Sequence, residues 1–169
     1  MSATANTIMA QIAAAAANDF SAGDSALDLS TSGLVVEGEY AAPAVGSSSP
    51  FVAVSPPSIA RSPEEWNLGQ WGRMLECTVA VWAPSPDVNA TRRAKVLDLA
   101  SDIGGAIEDL IYPVSGSYLY PTGGTLRPYN VISIEVTIDT IDGLEEGMVA
   151  GYGLCVLGVT VVYQKARGF

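Results

Sequence analysis

The sequence predicts an α+β fold: a four-stranded, mostly antiparallel sheet with two helices on one face, in the order α-β-β-α-β-β, joined by long loops. Three observations lead there. Residues 73–83, 130–141 and 154–163 alternate side chains with the period of a strand. Residues 5–20 and 87–111 instead carry apolar residues three and four apart, the period of a helix. Finally, the chain has 169 residues, 49 % hydrophobic and only 15 % charged, enough for one domain with a real core and too apolar for wholesale disorder.

The first element, ANTIMAQIAAAAANDF at 5–20, is rich in alanine, the best helix former, and Ile8 and Ile12 share one face. Residues 21–50 hold few large apolar side chains and much Ser, Gly and Ala; they read as a long excursion with one short strand in LVVEGEY. FVAVS at 51–55 reads as a strand stopped by Pro56 and Pro57. A polar loop with Trp66 and Trp71 is expected next, in which S-P-E-E at 62–65 has the form of a helix start. The strand at 73–83 sets Leu75, Cys77, Val79 and Val81 on one face and Met74, Glu76, Thr78 and Trp82 on the other.

Pro84 and Pro86 end that strand, and Asp87 or Asn89 can cap a helix reaching Ile111. Its buried stripe is read as Val96, Ala100, Ile103, Ile107 and Leu110. Tyr112-Pro113 closes it, and a Gly-, Pro- and Tyr-rich loop leads to the third long strand. There Ile132, Ile134, Val136 and Ile138 are expected inside, with Ser133, Glu135, Thr137 and Asp139 outside. The stretch TIDGLEEGMVAGYG, 140–153, joins this strand to the last one; it holds three acids, four glycines and no base.

Composition removes several kinds of chemistry. The net charge is −10, with eight bases against eighteen acids, the opposite of the balance that releases counterions from nucleic acid. No histidine occurs, so His-based triads, metal sites and pH switches are excluded. Cys77 and Cys155 each fall inside a predicted strand, which suits buried reduced thiols; sequence leaves a cross-strand disulfide open. The DGLEEG run lacks the alternate-acid spacing of a calcium loop, and the Gly-rich 121–125 lacks the lysine of a phosphate loop. No base stands before Arg61, so IMAQIAAAAA lacks the positive flank of a signal peptide, and no apolar run has the length of a membrane span; a cytosolic product is expected. No catalytic residue, cofactor or metal site is nominated, and the chain is expected not to be an enzyme.

The order of the pieces carries a resemblance. The N-terminal helix, the short strand FVAVS, the strand and proline corner LECTVAVWAPSP, the helix TRRAKVLDLASDIGGAIEDLIYPV and the closing strand VLGVTVVYQ together resemble the tail terminator proteins of long-tailed bacteriophages, the minor tail protein U type. The likeness spans about residues 50–165 plus the first helix; residues 21–50 and 114–130 are longer than a minimal member needs. It implies one tail-terminator-like domain over 1–169, made in the host cytoplasm and placed in the virion neck. It implies a homohexameric ring that caps the tail tube, stops its polymerisation and meets the head-side connector or stopper protein, while genomic DNA passes through the lumen without specific binding. No membrane partner is expected. Other neck rings, a stopper or a head–tail adaptor, fit the same pieces, and a small cytosolic α+β enzyme or ligand-binding domain is the alternative from another class.

Two interfaces are expected on this reading. Arg92, Arg93 and Lys95 crowd the start of a helix, where the macrodipole disfavours cations, so acids of a neighbouring subunit are their expected partners. Leu144, Met148 and Val149, with Glu145 and Glu146, are the residues through which the 143–153 loop would order itself on an adjoining ring. Trp82, Met74 and Thr137 on the outer sheet face are read as further support for burial by a neighbour.

Overall fold

A computed structural model describes residues 5–18, 35–37, 51–67, 70–84, 89–111, 131–140 and 152–166. In chain order these are α1 (Ala5–Asn18), β1 (Val35–Glu37), β2 (Phe51–Val54), β3 (Ser58–Asn67), β4 (Gln70–Pro84), α2 (Asn89–Glu108), β5 (Val131–Thr140) and β6 (Tyr152–Ala166). The sheet runs β1-β2-β4-β6-β5, with β3 also paired to β4. All ladders are antiparallel except β1 with β2. This is the predicted α+β class, with the short strand foreseen in LVVEGEY present as β1.

β4 and β6 form the spine. They pair without interruption from Gln70↔Ala166 to Pro84↔Tyr152. Alternation then sorts their side chains: Leu75, Cys77, Val79 and Val81 of β4 and Cys155, Leu157, Val159 and Val161 of β6 are buried on one face. Val52 and Val54 of β2 and Ile134 of β5 extend that face. Both helices pack on it. Ile8, Ile12 and Ala16 of α1 are fully buried, as the i, i+4 spacing requires. From α2 come Val96, Leu99, Ala100, Ile103 and Ile107, with Ile111 in the turn that follows. Leu99 and Ile111 widen the predicted stripe, while Leu110 is only half-buried beside the core. Each fully buried Ile or Leu here contributes about 1.5–3 kcal/mol of transfer free energy.

Helix α2 ends by tightening. The Leu110 and Ile111 amides donate to the carbonyls of Ile107 and Glu108 at 3.2 and 3.3 Å, three residues back, satisfying carbonyls that would otherwise be orphaned. Next to that end, Gly104 lies so close to β5 that a Cβ there would sit 3.3 Å from Val136 Cγ1, whereas one on Gly105 would meet nothing within 4 Å.

Residues 58–67 correct the polar loop expected from the sequence. They form β3, and S-P-E-E starts no helix. The physical reason is a continuous neighbour. β2 and β3 both lie antiparallel along β4, and the register shifts by one residue between Val54↔Val79 and Ser58↔Glu76. Ser55, Pro56 and Pro57 thus oppose only Cys77 and Thr78, a bulge at the place where prolines cannot donate to the ladder. Ser55 holds this bulge to β4: its amide donates to the Thr78 carbonyl at 2.9 Å, and its Oγ accepts from the Thr78 amide at 2.8 Å. A second irregularity, between Arg61 and Trp66, absorbs Pro63 before the ladder resumes at Trp66↔Trp71.

β5 also departs from simple alternation. Its register slips between Val131 and Ser133 and again between Ile138 and Thr140. Ile132 stands in the first slip and Ile138 borders the second; each is 42 % exposed, so neither lines the core as expected. Ile134 is buried and Val136 packs partly against the core, as expected.

Candidate interaction surfaces

The face of the sheet turned away from the helices divides into two regions. Where β2, β4 and β6 meet at one end, Phe51, Ala53, Trp82 and Tyr152 form a second buried cluster, flanked by Ala80 and Leu154. Trp82 is therefore already covered within its own chain, at 7 % exposure, and does not offer the exposed apolar surface expected of it. Its indole Nε1 is buried without a hydrogen-bond partner. Met74 is half-buried, and Thr137 is exposed.

The middle of the same face is polar and open. Ser55, Ser58, Glu76, Thr78, Thr137 and Thr160 surround a groove of about 470 Å³, floored by the strand backbone at Gly158. The ladders set these side chains in rows: Ser58, Glu76, Thr160 and Glu135 across one row, and Thr78, Gly158 and Thr137 across the next. Thr137 Oγ1 donates to the Gly158 carbonyl at a long 3.5 Å. Glu76 and Glu135 flank Thr160 from either side, two strand spacings apart, or about 10 Å. Both are exposed, and at that distance salt screens their repulsion. Among the described side chains on this face there is no base. Arg61 and Arg73 pair with each other across β3 and β4 in the positions that alternate toward the helix side.

Among the described strands the sheet has three edge strands, β1, β3 and β5. β5 pairs only with β6, and β3 pairs only with β4. The described large apolar residues that are exposed are Ile59 on β3, at 50 %, and Ile132 and Ile138 on β5, at 42 % each. All three sit on edge strands. The alternation of 130–141 was readable, but the register slip that turns Ile132 outward left no signal in the sequence, and Ile138 keeps the helix-side face yet stands exposed on an edge strand.

The residues nominated from the sequence are only partly placed. Arg92, Arg93 and Lys95 lie in the first two turns of α2, and their side chains lie outside the described residues. The helix has no acid in its first turn and no base in its last, so its charges do run against the macrodipole. Leu144, Glu145, Glu146, Met148 and Val149 also lie outside the described residues. The loop that carries them is shorter than expected, because Tyr152 and Gly153 already belong to β6 and pair with Pro84 and Ala83.

Cys77 and Cys155 are free, buried and on the helix side of adjacent strands. Cys77 pairs with Val159 and Cys155 with Val81, so four residue positions, about 13 Å along the strands, keep them beyond disulfide reach. Burial pushes the Cys77 thiol up to about 11. It also raises that of Cys155, against a backbone hydrogen bond that lowers it. Neither is poised as a nucleophile.

Among the described residues, no three acids or cysteines cluster as a metal site would, and no helix is long and apolar enough to cross a membrane. No family model matches the chain, and no curated protein is detectably similar to it.

Proposed function

We propose that this chain is a structural virion protein, the tail terminator of a long-tailed bacteriophage. Six copies form a ring on the end of the tail tube, stop its polymerisation and meet the head-side connector or stopper. The observation that supports this most is the two-sided sheet. One face is sealed by both helices, and the other presents a hydroxyl-lined strip with Glu76 and Glu135 and, among the described residues, no base. A channel for DNA needs such a wall: polar enough to stay wet, and negative enough that phosphates are not held. The element order, α-β-β-α-β-β once the three-residue β1 is set aside and β2 and β3 are taken as one bulged strand, supports the same reading. In it, Arg92, Arg93 and Lys95 face acids of the next subunit, and the loop bearing Leu144, Glu145, Glu146, Met148 and Val149 docks on the adjoining ring.

The test is electron microscopy of the purified protein alone and mixed with isolated tail tubes. The expected result is a six-fold ring at one end of each tube and arrested tube growth. Protein bound along the tube wall, or density off the tail axis, overturns the proposal. A ring seated on the portal rather than on the tube end would reassign the chain to another layer of the neck.

A further inference from the structure

The described large apolar residues that are exposed fall on two strands, β3 and β5, and these are two of the three edge strands of the sheet among the described residues. Chance gives no reason for that. An open strand edge presents unpaired amides and carbonyls, and proteins ordinarily blunt it with charge or cover it. Here isoleucines stand on the edges of β3 and β5. We propose that the edge of β5 pairs with the edge of β3 of a second copy, so that subunits join head to tail by continuing their sheets.

The geometry of the two strands is compatible. β3 is antiparallel to β4, β4 to β6, and β6 to β5, so β3 and β5 run in opposite senses. Laying β5 beside the next copy's β3 extends the antiparallel alternation with no reversal. The shorter regular stretch fits within the longer one. Irregularities confine β3 to Ser58–Arg61 and β5 to Ser133–Ile138. Ile59 pairs with Leu75, and Ile138 with Leu157, both of which are buried under the helices. The two isoleucines therefore share one face of the extended sheet.

Charge selects the occupant. In a chain of net charge −10, most self-contacts set acid against acid. Ser58–Arg61 holds no acid and one base, whereas the β5 stretch carries Glu135. Arg61 lies on the helix side and Glu135 on the other face, so the two do not pair directly; joining β5 to β3 sets Glu135 against a stretch without an acid, while joining β5 to β5 would bring Glu135 toward its own copy, which cross-strand pairing penalises. Unlike edges make a heterologous join, the kind that closes into a ring when the rotation permits. Closure to six rests on the proposed function; the identity of the joining strands does not.

Antiparallel registers that keep Ile59 level with Ile138 or Val136 set Ala60 opposite Thr137 or Glu135. All three are exposed. The experiment uses Ala60→Cys, Thr137→Cys and Glu135→Cys in the full chain, under mild oxidation with tail tubes present, with light scattering and microscopy in parallel. The expected result is a disulfide-linked dimer when Ala60→Cys is mixed with Thr137→Cys or with Glu135→Cys, and its loss when either variant is oxidised alone. Ile59→Lys should abolish the crosslink with an unchanged urea midpoint. Crosslinking of Thr137→Cys or Glu135→Cys alone would mean a two-fold β5–β5 contact and overturn the proposal. Rings that assemble without any mixed crosslink would overturn it too, while leaving the ring itself standing. Protein that neither assembles nor crosslinks on tubes would sink both ideas.

Discussion

Gly104 and Gly105 are neighbours on one turn of α2, yet replacing each by alanine should have opposite results. Glycine inside a helix costs about 1 kcal/mol relative to alanine, so either substitution starts with that gain. At Gly105 nothing lies within 4 Å of the new Cβ, and the full gain of about 1 kcal/mol should appear. At Gly104 the Cβ would press on Val136 Cγ1 at 3.3 Å, so helix and β5 must part by a few tenths of an ångström. Overpacking of this kind costs about 1–3 kcal/mol, which cancels or reverses the gain. Urea unfolding of the two variants, followed by circular dichroism, measures the difference. Gly105→Ala should also raise Tm by about 2–4 °C in a chain of this size. Val136→Ala provides the control: it should cost less in the Gly104→Ala background than in the wild type. If Gly104→Ala stabilises as much as Gly105→Ala, and Val136→Ala shows no coupling, the close approach of α2 to β5 is wrong.

Trp82→Ala should cost about 3–5 kcal/mol, as for other buried aromatics, whereas Trp82→Phe should cost far less, because it removes the unpaired Nε1 donor along with part of the ring; urea midpoints report both. The thiols should resist alkylation until the chain unfolds. Because the folded Cys77 pKa lies near 11, above its ordinary 9.0, the folded state holds that proton more tightly, and this contribution to stability is complete below pH 9 and lost as pH rises through 11. Unfolding midpoints measured across that window in wild type and Cys77→Ala should show a steeper fall for wild type. Reversing Arg92, Arg93 and Lys95 to Glu should stabilise the free subunit slightly, by about 0.3–1 kcal/mol for each charge in the first turn, while weakening ring assembly; unchanged assembly on tubes would remove them from the interface. Replacing 143–151 by Asn-Gly should leave urea stability intact but yield tails of uncontrolled length or tails that fail to join heads; normal infectivity of such a phage would show that the loop is not the docking element.

Where periodicity is strong and uninterrupted, the residues announced their places. Alternation in 73–83 sorted both faces of β4, including the inward turn of Cys77, and 154–163 was legible as the strand that pairs with it. Ile8 and Ile12 marked the buried side of α1 in the same way. β3 was not legible, because Ser62-Pro63-Glu64-Glu65 carries a local helix-start signal, and the strand forms through its neighbour β4. Tertiary pairing overrode propensity there. Trp82 shows a different limit. Alternation gave its side of the sheet, but its burial depends on Phe51 and Tyr152, which are remote in sequence. The polar strip could be read strand by strand, yet its assembly across four strands depended on registers that no single segment encodes. The exposure of Ile132 depended on a slip of one residue, which leaves hydropathy unchanged, and that of Ile138 on its place at an edge strand, which no local pattern encodes.

The proline bulge at Ser55–Pro57 divides one margin of the sheet into two unlike halves. Above it β2 is capped by the three residues of β1, running parallel; below it β3 is bare on its far side among the described strands. The division acts as a length stop. A strand that ran unbroken from Phe51 to Arg61 with no cap would be a general adhesive, able to slide by two residues and recruit any extended chain. Cut to Ser58–Arg61, the bare edge is too short to hold a stray strand on backbone hydrogen bonds alone and must find a partner that also fits Ile59. Deleting Val35–Glu37 would therefore do more than loosen a minor strand: it would lengthen the bare edge and shift the protein from selective joining toward indiscriminate aggregation.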